Sequence, residues 1–350
     1  GGGSGGEVKN NVFTMDSLTI NNGGNVTFAP HAIVNVQHLT VGDDNSLTRA
    51  STLIIQLVAT FHVAVKVDIK ANGAIDGIGL GLQTCLDPMT CNVLQYHNLT
   101  GFDAQGHGVM MNLKSMGGTH GGIGGSNYWD GMSSGNSFEA PYRYMENFKH
   151  GTSMCSSSHN EILAVGYNLM CGVGVEKDVS CNCTIHGYGS YHAPRYPGSA
   201  GSVGSPGTEA YGAGGAALHI ITTDMVLDGT IDVSGRKGGD HGGDNGKPGG
   251  VYTPWGPGGG GAGGSVWIEV AGTFEGSASG RVVANGGDGG LGQQITTANT
   301  NKDEYGHSEV GNIYTNTAGG GGGGRISIVG AATNNYLGSY TAVGGSSYVH

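Results

Sequence analysis

Glycine-rich runs alternate with short apolar strands in this chain, and the same pattern returns several times. It is clearest at Gly214–Gly239, Gly263–Gly290 and Gly323–Gly345, and Val63–Gly81 carries its second half. In each copy a Gly run precedes an alternating strand, a Gly-x-apolar-x-apolar segment follows, and another Gly run closes the unit. One unit used repeatedly predicts a solenoid, in which each unit buries its apolar face only against its neighbours.

The composition is more typical of a scaffold than of a cytosolic enzyme. Of the 350 residues, 72 are Gly, which is about three times the usual share. Only 12% are charged, about half the usual share, while 37% hydrophobic residues and clear strands argue against disorder. The net charge is −11 and the 15 Lys and Arg form no run, so nothing indicates nucleic-acid binding.

The most apolar stretch also predicts strand. Every odd position from Leu53 to Ile69 is apolar, whereas the even positions include Gln56, Lys66 and Asp68. A period of two over this length, rich in β-branched residues, predicts one long strand rather than a helix. The interleaved polar residues argue against a membrane span.

We divide the chain into three regions. Residues 1–81 are N-terminal β-helix units, residues 82–213 an irregular insert packed on them, and residues 214–350 Gly-punctuated repeats. In the first region turn residues separate the predicted strands Asp16–Ile20, Asn25–Phe28, Ile33–Val36, His38–Val41 and the long run. The insert contains the single short helix candidate, Glu161–Met170.

Strands punctuated by Gly turns, without helical crossovers, allow a sandwich, a barrel or a parallel β-helix. The β-helix explains more, because like stacks on like and the pattern returns after loops of variable length. We therefore predict an all-β fold, a right-handed parallel β-helix with long Gly-rich loops and a Cys/Tyr-rich insert. Its inward residues are expected to stack from unit to unit: Leu218, Ile220, Ile231 and Val233, then Val266, Ile268, Val282 and Ala284, then Ile326, Ile328, Tyr340 and Ala342.

Two Gly-rich loops, Gly235–Gly264 and Gly286–Gly324, are long for ordinary connections. Free Gly loops carry a large entropic cost on folding. Segments without side chains can instead lie close together as extended, polyproline-II-like strands that hydrogen-bond laterally, as in collagen. We expect ordered, mutually packed loops, with mobile loops as the alternative.

Six glycine-containing motifs and strands frame most of the chain: Ser17–Ile20, Asn72–Gly79, Gly117–Gly125, Gly258–Ile268, Ala284–Gly290 and Gly319–Ile328. With these motifs the chain resembles the glycine-rich, pectate-lyase-like parallel β-helix modules of large secreted and cell-surface proteins. The insert departs from that pattern, so the resemblance assigns it no role. More narrowly, the chain is similar to subunits of the tubular hairs, or mastigonemes, of protist flagella, which are extracellular filaments of a repeated secreted glycoprotein.

All six cysteines lie in the insert, at positions Cys85, Cys91, Cys155, Cys171, Cys181 and Cys183. No C-x-x-C zinc spacing occurs, and the even number predicts disulfides. We expect Cys85 and Cys91 to close one small loop. Cys181 and Cys183 are too near for an easy mutual bond, so each is expected to pair with Cys155 or Cys171, and both arrangements remain open.

Three N-x-Ser/Thr sequons, at Asn25, Asn98 and Asn182, together with the cysteines indicate secretion. We expect an N-linked glycan on at least one of them, first of all on Asn98 in the loop-rich insert. The chain begins at Gly1 without a signal-peptide pattern, so we expect a mature or partial chain.

Clustered carboxylates are the groups to look for, because β-helix polysaccharide lyases and hydrolases depend on them. The candidates are Asp76, Asp232, Asp240, Asp244 and Asp288. Asp76 and Asp232 share a repeat position with Val283 and Thr341, which indicates an outward sheet position, and we assign no catalytic residue. Asp240 and Asp244 are the candidate calcium ligands, with a solvated loop as the alternative. We expect no other cofactor.

Aromatic and imidazole side chains give no further site. The 14 His are scattered, several of them beside Gly, such as His107, His120 and His186, and none has metal-ligand spacing, which favours loop or packing roles. Tyr and Trp129 are concentrated in the insert, where they form either an interface or a local core.

The function that we expect is that of an extracellular or cell-surface structural glycoprotein, not an enzyme, whose partners are copies of itself. Neither end of the repeat carries a charged cap, and the last residues, Tyr340–His350, still follow the pattern. An uncapped solenoid end propagates head to tail as a filament. The alternatives are a cell-surface adhesin module binding glycan or protein and, third, a carbohydrate-active enzyme.

Overall fold

The computed structural model describes residues 11–44, 49–82, 118, 120–122, 190–201, 212–240, 258–291 and 318–346. These residues form strands and contain no α-helix. The strands are β1 (Asn11–Ile20), β2 (Asn25–Phe28), β3 (Ala32–Val41), β4 (Ser51–Ile55), β5 (Val58–Ile69), β6 (Gly73–Asp76), β7 (Ala217–Leu227), β8 (Thr230–Asp232), β9 (Ser265–Val270), β10 (Thr273–Gly276), β11 (Arg281–Val283), β12 (Arg325–Val329), β13 (Thr333–Tyr336) and β14 (Ser339–Thr341).

The strands make two sheets in which every pairing is parallel. Sheet A has eight strands, β1, β3, β5, β7, β9, β10, β12 and β13, and sheet B has six, β2, β4, β6, β8, β11 and β14. Along the chain one strand, or two consecutive strands, of sheet A precede each strand of sheet B. We call each such group a unit. The predicted β character is confirmed.

The insert does not interrupt either sheet. Strand β5 pairs directly with β7, and β6 pairs with β8, although 82–213 lies between them in sequence. The units before and after the insert therefore share the same two sheets.

The predicted stacking of inward residues is confirmed by the strand register. The columns include Leu218–Val266–Ile326, Ile220–Ile268–Ile328 and Ile231–Val282–Tyr340. All of these residues except Tyr340 belong to, or pack against, one apolar core with residues from both sheets. The members in β7, β8, β9 and β11 are buried, whereas Ile326 and Ile328 are half-buried and Tyr340 is exposed.

One predicted strand is divided in the structure. The apolar run from Leu53 to Ile69 was expected as a single strand, but β4 ends at Ile55 and β5 begins at Val58. Leu57 turns the chain from sheet B to sheet A with a φ of 58°, and its side chain stays buried. Further along, the register shifts between Val63 and Lys66, which leaves the apolar Val65 exposed.

Glycine-rich segments pack beside the sheets in a regular bundle, whose centre is segment 258–264. The N–H groups of Gly258, Gly261 and Gly264 all donate to carbonyls of segment 233–239, at 2.8–3.0 Å. A partner that returns every third residue is the periodicity of polyproline II. No glycine of these two segments has a positive φ. The expected lateral packing is thus confirmed for the described parts of both Gly-rich loops.

The central segment is hydrogen-bonded on all sides. Its backbone donates to three neighbouring segments and accepts from four. The acceptors are in 233–239, 318–324 and at Ser199, and the donors are in 212–215, 287–290, at Gly118 and at Arg325. Gly118, Ser199 and Gly212 of the insert therefore belong to the same bundle as the repeats.

Only glycine fits most of these positions. A Cβ added to Gly261 would overlap the carbonyl of Ala213, and one added to Gly321 would overlap the carbonyl of Gly261. The backbones approach this closely because their N–H and C=O groups bond to each other directly. The Gly content is accounted for by this packing rather than by flexibility.

Replacing Gly261 with Ala is expected to lower the free energy of unfolding by about 3 kcal/mol or more, because the methyl group has no space and must push two backbones apart. Gly344→Ala is the matched control, since its nearest atom would be the Gly321 carbonyl oxygen at 3.4 Å. We expect the control to change stability by less than about 0.5 kcal/mol. Urea unfolding measures both, and equal stability of the two variants would contradict the packing described here.

Candidate functional site

Most of the predicted modification sites lie outside the described residues. These are Cys85, Cys91, Cys155, Cys171, Cys181 and Cys183, the sequons at Asn98 and Asn182, and the candidate calcium ligand Asp244. The helix candidate Glu161–Met170 and Trp129 are outside as well. Asn25 is described: it begins β2 and is exposed, as is Thr27 of the same sequon.

The two carboxylates with equivalent repeat positions are neighbours in sheet B. Asp76 pairs with Asp232, which pairs in turn with Val283. Each carboxylate accepts a 2.9 Å hydrogen bond from the backbone N–H two residues ahead, Ile78 for Asp76 and Ser234 for Asp232. These bonds cap the turn that follows each strand.

Other acidic side chains join successive units. The carboxylate of Asp224 accepts from the N–H of Thr273, and that of Asp228 accepts from Ser277, both at 2.7 Å. In the glycine bundle Asp288 accepts from Ser346, also at 2.7 Å. A charged acceptor makes a stronger bond than a neutral one, so these carboxylates fix the turns of one unit to the next.

Asp240, the described half of the candidate calcium pair, is bonded to protein groups. Its Oδ1 accepts from the N–H of Leu291 at 2.7 Å and lies 2.8 Å from the Lys237 ammonium. These two partners hold the pKa of Asp240 below its usual value. Within the described residues, no group of three His, Cys, Asp or Glu has metal-binding geometry. The structure therefore assigns Asp240 a role between two glycine segments.

An aromatic stack crosses the outer face of sheet A. The Trp267 and His219 rings lie parallel with centroids 3.8 Å apart, and the Arg195 guanidinium lies 4.6 Å from the Trp267 ring centre. Because His219 covers one face of the indole, Arg195 covers the other. Glu269 bonds His219 Nε2 at 2.7 Å, yet burial still lowers the pKa of His219. Trp267 is 8% exposed, so its ring is a packing surface rather than an open platform.

Hydroxyl groups anchor the same part of the insert. Ser265 Oγ donates to the Tyr196 carbonyl at 2.6 Å, and Ser327 Oγ donates to the His192 carbonyl at 2.8 Å. Together with Arg195 these bonds attach segment 190–197 to β9 and β12. Tyr191, in the same segment, stays 69% exposed.

This stack was not among the predicted sites, although the sequence contains a signal for it. His219, Trp267 and Ser327 occupy the same position in the three aligned strands, between inward residues. Equivalent outward positions stack directly in a parallel sheet, so two rings at one position predict ring contact.

His120 is buried among the glycine segments. Its Nδ1 lies 2.7 Å from the Gly263 carbonyl oxygen, which only accepts, so Nδ1 carries the proton. Its Nε2 lies 3.4 Å from Ser265 Oγ. Burial, with a smaller effect of the charge on Arg325, lowers the pKa of His120 to about 4. The imidazole is therefore neutral at physiological pH and links the insert to the start of β9.

The two outermost units expose residues that the inner units bury. At one end Phe13 is 38% exposed although its column partners Val34 and Phe61 are buried. At the other end Tyr340 is 46% exposed above the buried Val282. These end faces combine edge strands of both sheets with exposed apolar side chains.

Comparison with models of known protein families, with curated proteins and with solved structures gives no match. In the part of the chain that the structure describes, no helix has the length and hydrophobicity needed to cross a bilayer.

Acid is expected to destabilise the protein through His120. Its pKa is about 6.5 when unfolded and about 4 when folded, so the unfolded chain binds more protons as the pH falls below 6.5. The loss between pH 7 and pH 4.5 from this residue is about 2.5 kcal/mol. Urea unfolding at both pH values measures it, and His120→Asn is the control. An equal loss in the variant would contradict the assignment.

Proposed function

We propose that the protein is an extracellular structural subunit that assembles with copies of itself. In this proposal the two sheets are faces of a right-handed parallel β-helix, and each unit is one turn. The regular alternation between sheets supports the helix, and crossovers between parallel strands of one sheet are right-handed in about 98% of cases.

The observation that carries the proposal is the continuity of the inner columns to both end faces. The column of Val26 and Tyr340 runs through all strands of sheet B in one parallel register. It is buried in the inner units, half-buried at Val26 and exposed at Tyr340. Burial of open apolar ends and pairing of free edges favour addition of further units, and a second copy supplies them.

The other described features support a scaffold role. The candidate carboxylates Asp76, Asp232, Asp240 and Asp288 each accept a backbone hydrogen bond that caps a turn or joins two segments. The glycine bundle is held by direct backbone hydrogen bonds. Groups used in this way serve the regular packing of the chain.

Assembly is expected to increase with protein concentration and to persist at high salt, because the end faces are apolar and nearly uncharged. Sedimentation velocity across a concentration series, with negative-stain imaging of the same samples, tests this. We expect linear particles whose width exceeds that of a single copy by no more than a glycan layer. A single monomer at every concentration would refute the assembly.

We expect the secreted protein to carry an N-linked glycan on Asn25, because Asn25 and Thr27 are both exposed on the outer face of β2. Glycopeptide mass spectrometry of native material measures the occupancy. Thr27→Ala is the control, since it removes the sequon and leaves Asn25 in place. Unmodified Asn25 in native material would count against this site.

A further inference from the structure

The edge strands at the two end faces have complementary backbone hydrogen-bonding groups. In β14 the Ser339 N–H and the Thr341 carbonyl bond towards β11. Successive residues of a strand point to opposite edges, so the backbone groups of Tyr340 face the open edge. In β2 the Gly24 and Phe28 carbonyls bond towards β4, so the backbone groups of Asn25 and Thr27 face the open edge of the sheet. In a parallel pair, a residue such as Tyr340 bonds the backbone groups of the two residues on either side of its opposite residue. Asn25 and Thr27 are those two residues when Val26 lies opposite Tyr340.

The strand lengths at the two ends also match. One end of sheet A is the ten-residue strand β1, and the other end is the two short strands β12 and β13. The structure already contains such a junction, because the long strand β7 pairs with both β9 and β10. A long strand therefore pairs with two consecutive short ones in this fold.

The columns specify the register between copies. Phe13 shares its column with Ile328 through Val34, Phe61, Ile220 and Ile268. Val26 shares its column with Tyr340 through Leu53, Ile75, Ile231 and Val282. Continuing each column by one strand places Phe13 of a second copy on Ile328 and its Val26 on Tyr340.

Charge does not oppose this contact. Strands β2, β13 and β14 contain no charged residue, and β1 contains only Asp16. Exposed edges of natural sheets are usually protected by inward charges, Pro or bulges. None of these edge strands contains proline, and their charged residues are Asp16 of β1 and Arg325 at the start of β12.

We infer that a second copy of this chain docks head to tail, with β1 and β2 pairing in parallel on β12, β13 and β14, in the register that puts Val26 opposite Tyr340. This inference rests on the proposed function and specifies its interface. The contact is heterologous and uses two different faces, so it adds copies without closing a dimer.

The first test changes the face without changing the fold. Tyr340→Lys places a charge on the end face, whereas Thr341→Lys places the same charge on the neighbouring outward position. Both residues are exposed, so both variants are expected to fold. We expect sedimentation of Tyr340→Lys to fall to the monomer value and that of Thr341→Lys to match the unmodified chain.

The second test reads the register. A Tyr340→Cys preparation is mixed with a Val26→Cys preparation under mild oxidation, and the linked peptide is sought by mass spectrometry. Four strands of sheet B separate β2 from β14, so this disulfide forms only between copies. Thr27→Cys is the control, because the neighbouring side chain points to the other face of the sheet. We expect Tyr340→Cys to link to Val26→Cys and not to Thr27→Cys.

The outcomes separate the interface from the function. If filaments form equally with Tyr340→Lys, or if Thr27→Cys links as well as Val26→Cys, the inferred interface is wrong while assembly stands. If the unmodified chain never assembles, the proposed function fails and the interface fails with it.

Discussion

Direct hydrogen bonding between glycine backbones is the interaction on which the rest of the structure depends. Segment 258–264 is bonded on all sides, and its neighbours come from both the repeats and the insert. Such bonds satisfy polar groups that burial would otherwise leave unpaired, and they require backbones too close for any Cβ. The sheets stack unit on unit, while the glycine bundle connects the long excursions between units. The chain can therefore leave the sheets for many residues and return in register.

Side chains add the specificity that glycine cannot provide. Asp224, Asp228 and Asp288 each bond a backbone N–H of the next unit. On the outer face of sheet A, Trp267 lies between His219 and Arg195, and the contact with Arg195 attaches the insert to the sheet. These charged residues thus lie at points where one segment is matched with another.

The stacking columns were predictable because parallel pairing repeats the same apolar positions, as Ile231, Val282 and Tyr340 illustrate. The lateral packing of the Gly-rich loops followed from the absence of side chains. The corner at Leu57 was not predictable, since a buried leucine with positive φ interrupts an otherwise perfect alternation. His120 lies in the insert, far in sequence from its partner Gly263, and no periodicity relates the two. Local patterns reveal repeated contacts, whereas contacts made once depend on the complete fold.

The three-residue period of the glycine bundle limits how its segments can change in length. The N–H groups of Gly258, Gly261 and Gly264 donate to the same neighbouring segment. Removal of one residue between them therefore turns the following N–H groups by about a third of a revolution. Removal of three residues leaves the following donors facing the same neighbouring segment. The sheets, in contrast, return to the same face after two residues. Insertions and deletions in related chains should therefore occur in threes within the Gly runs and in twos within the strands.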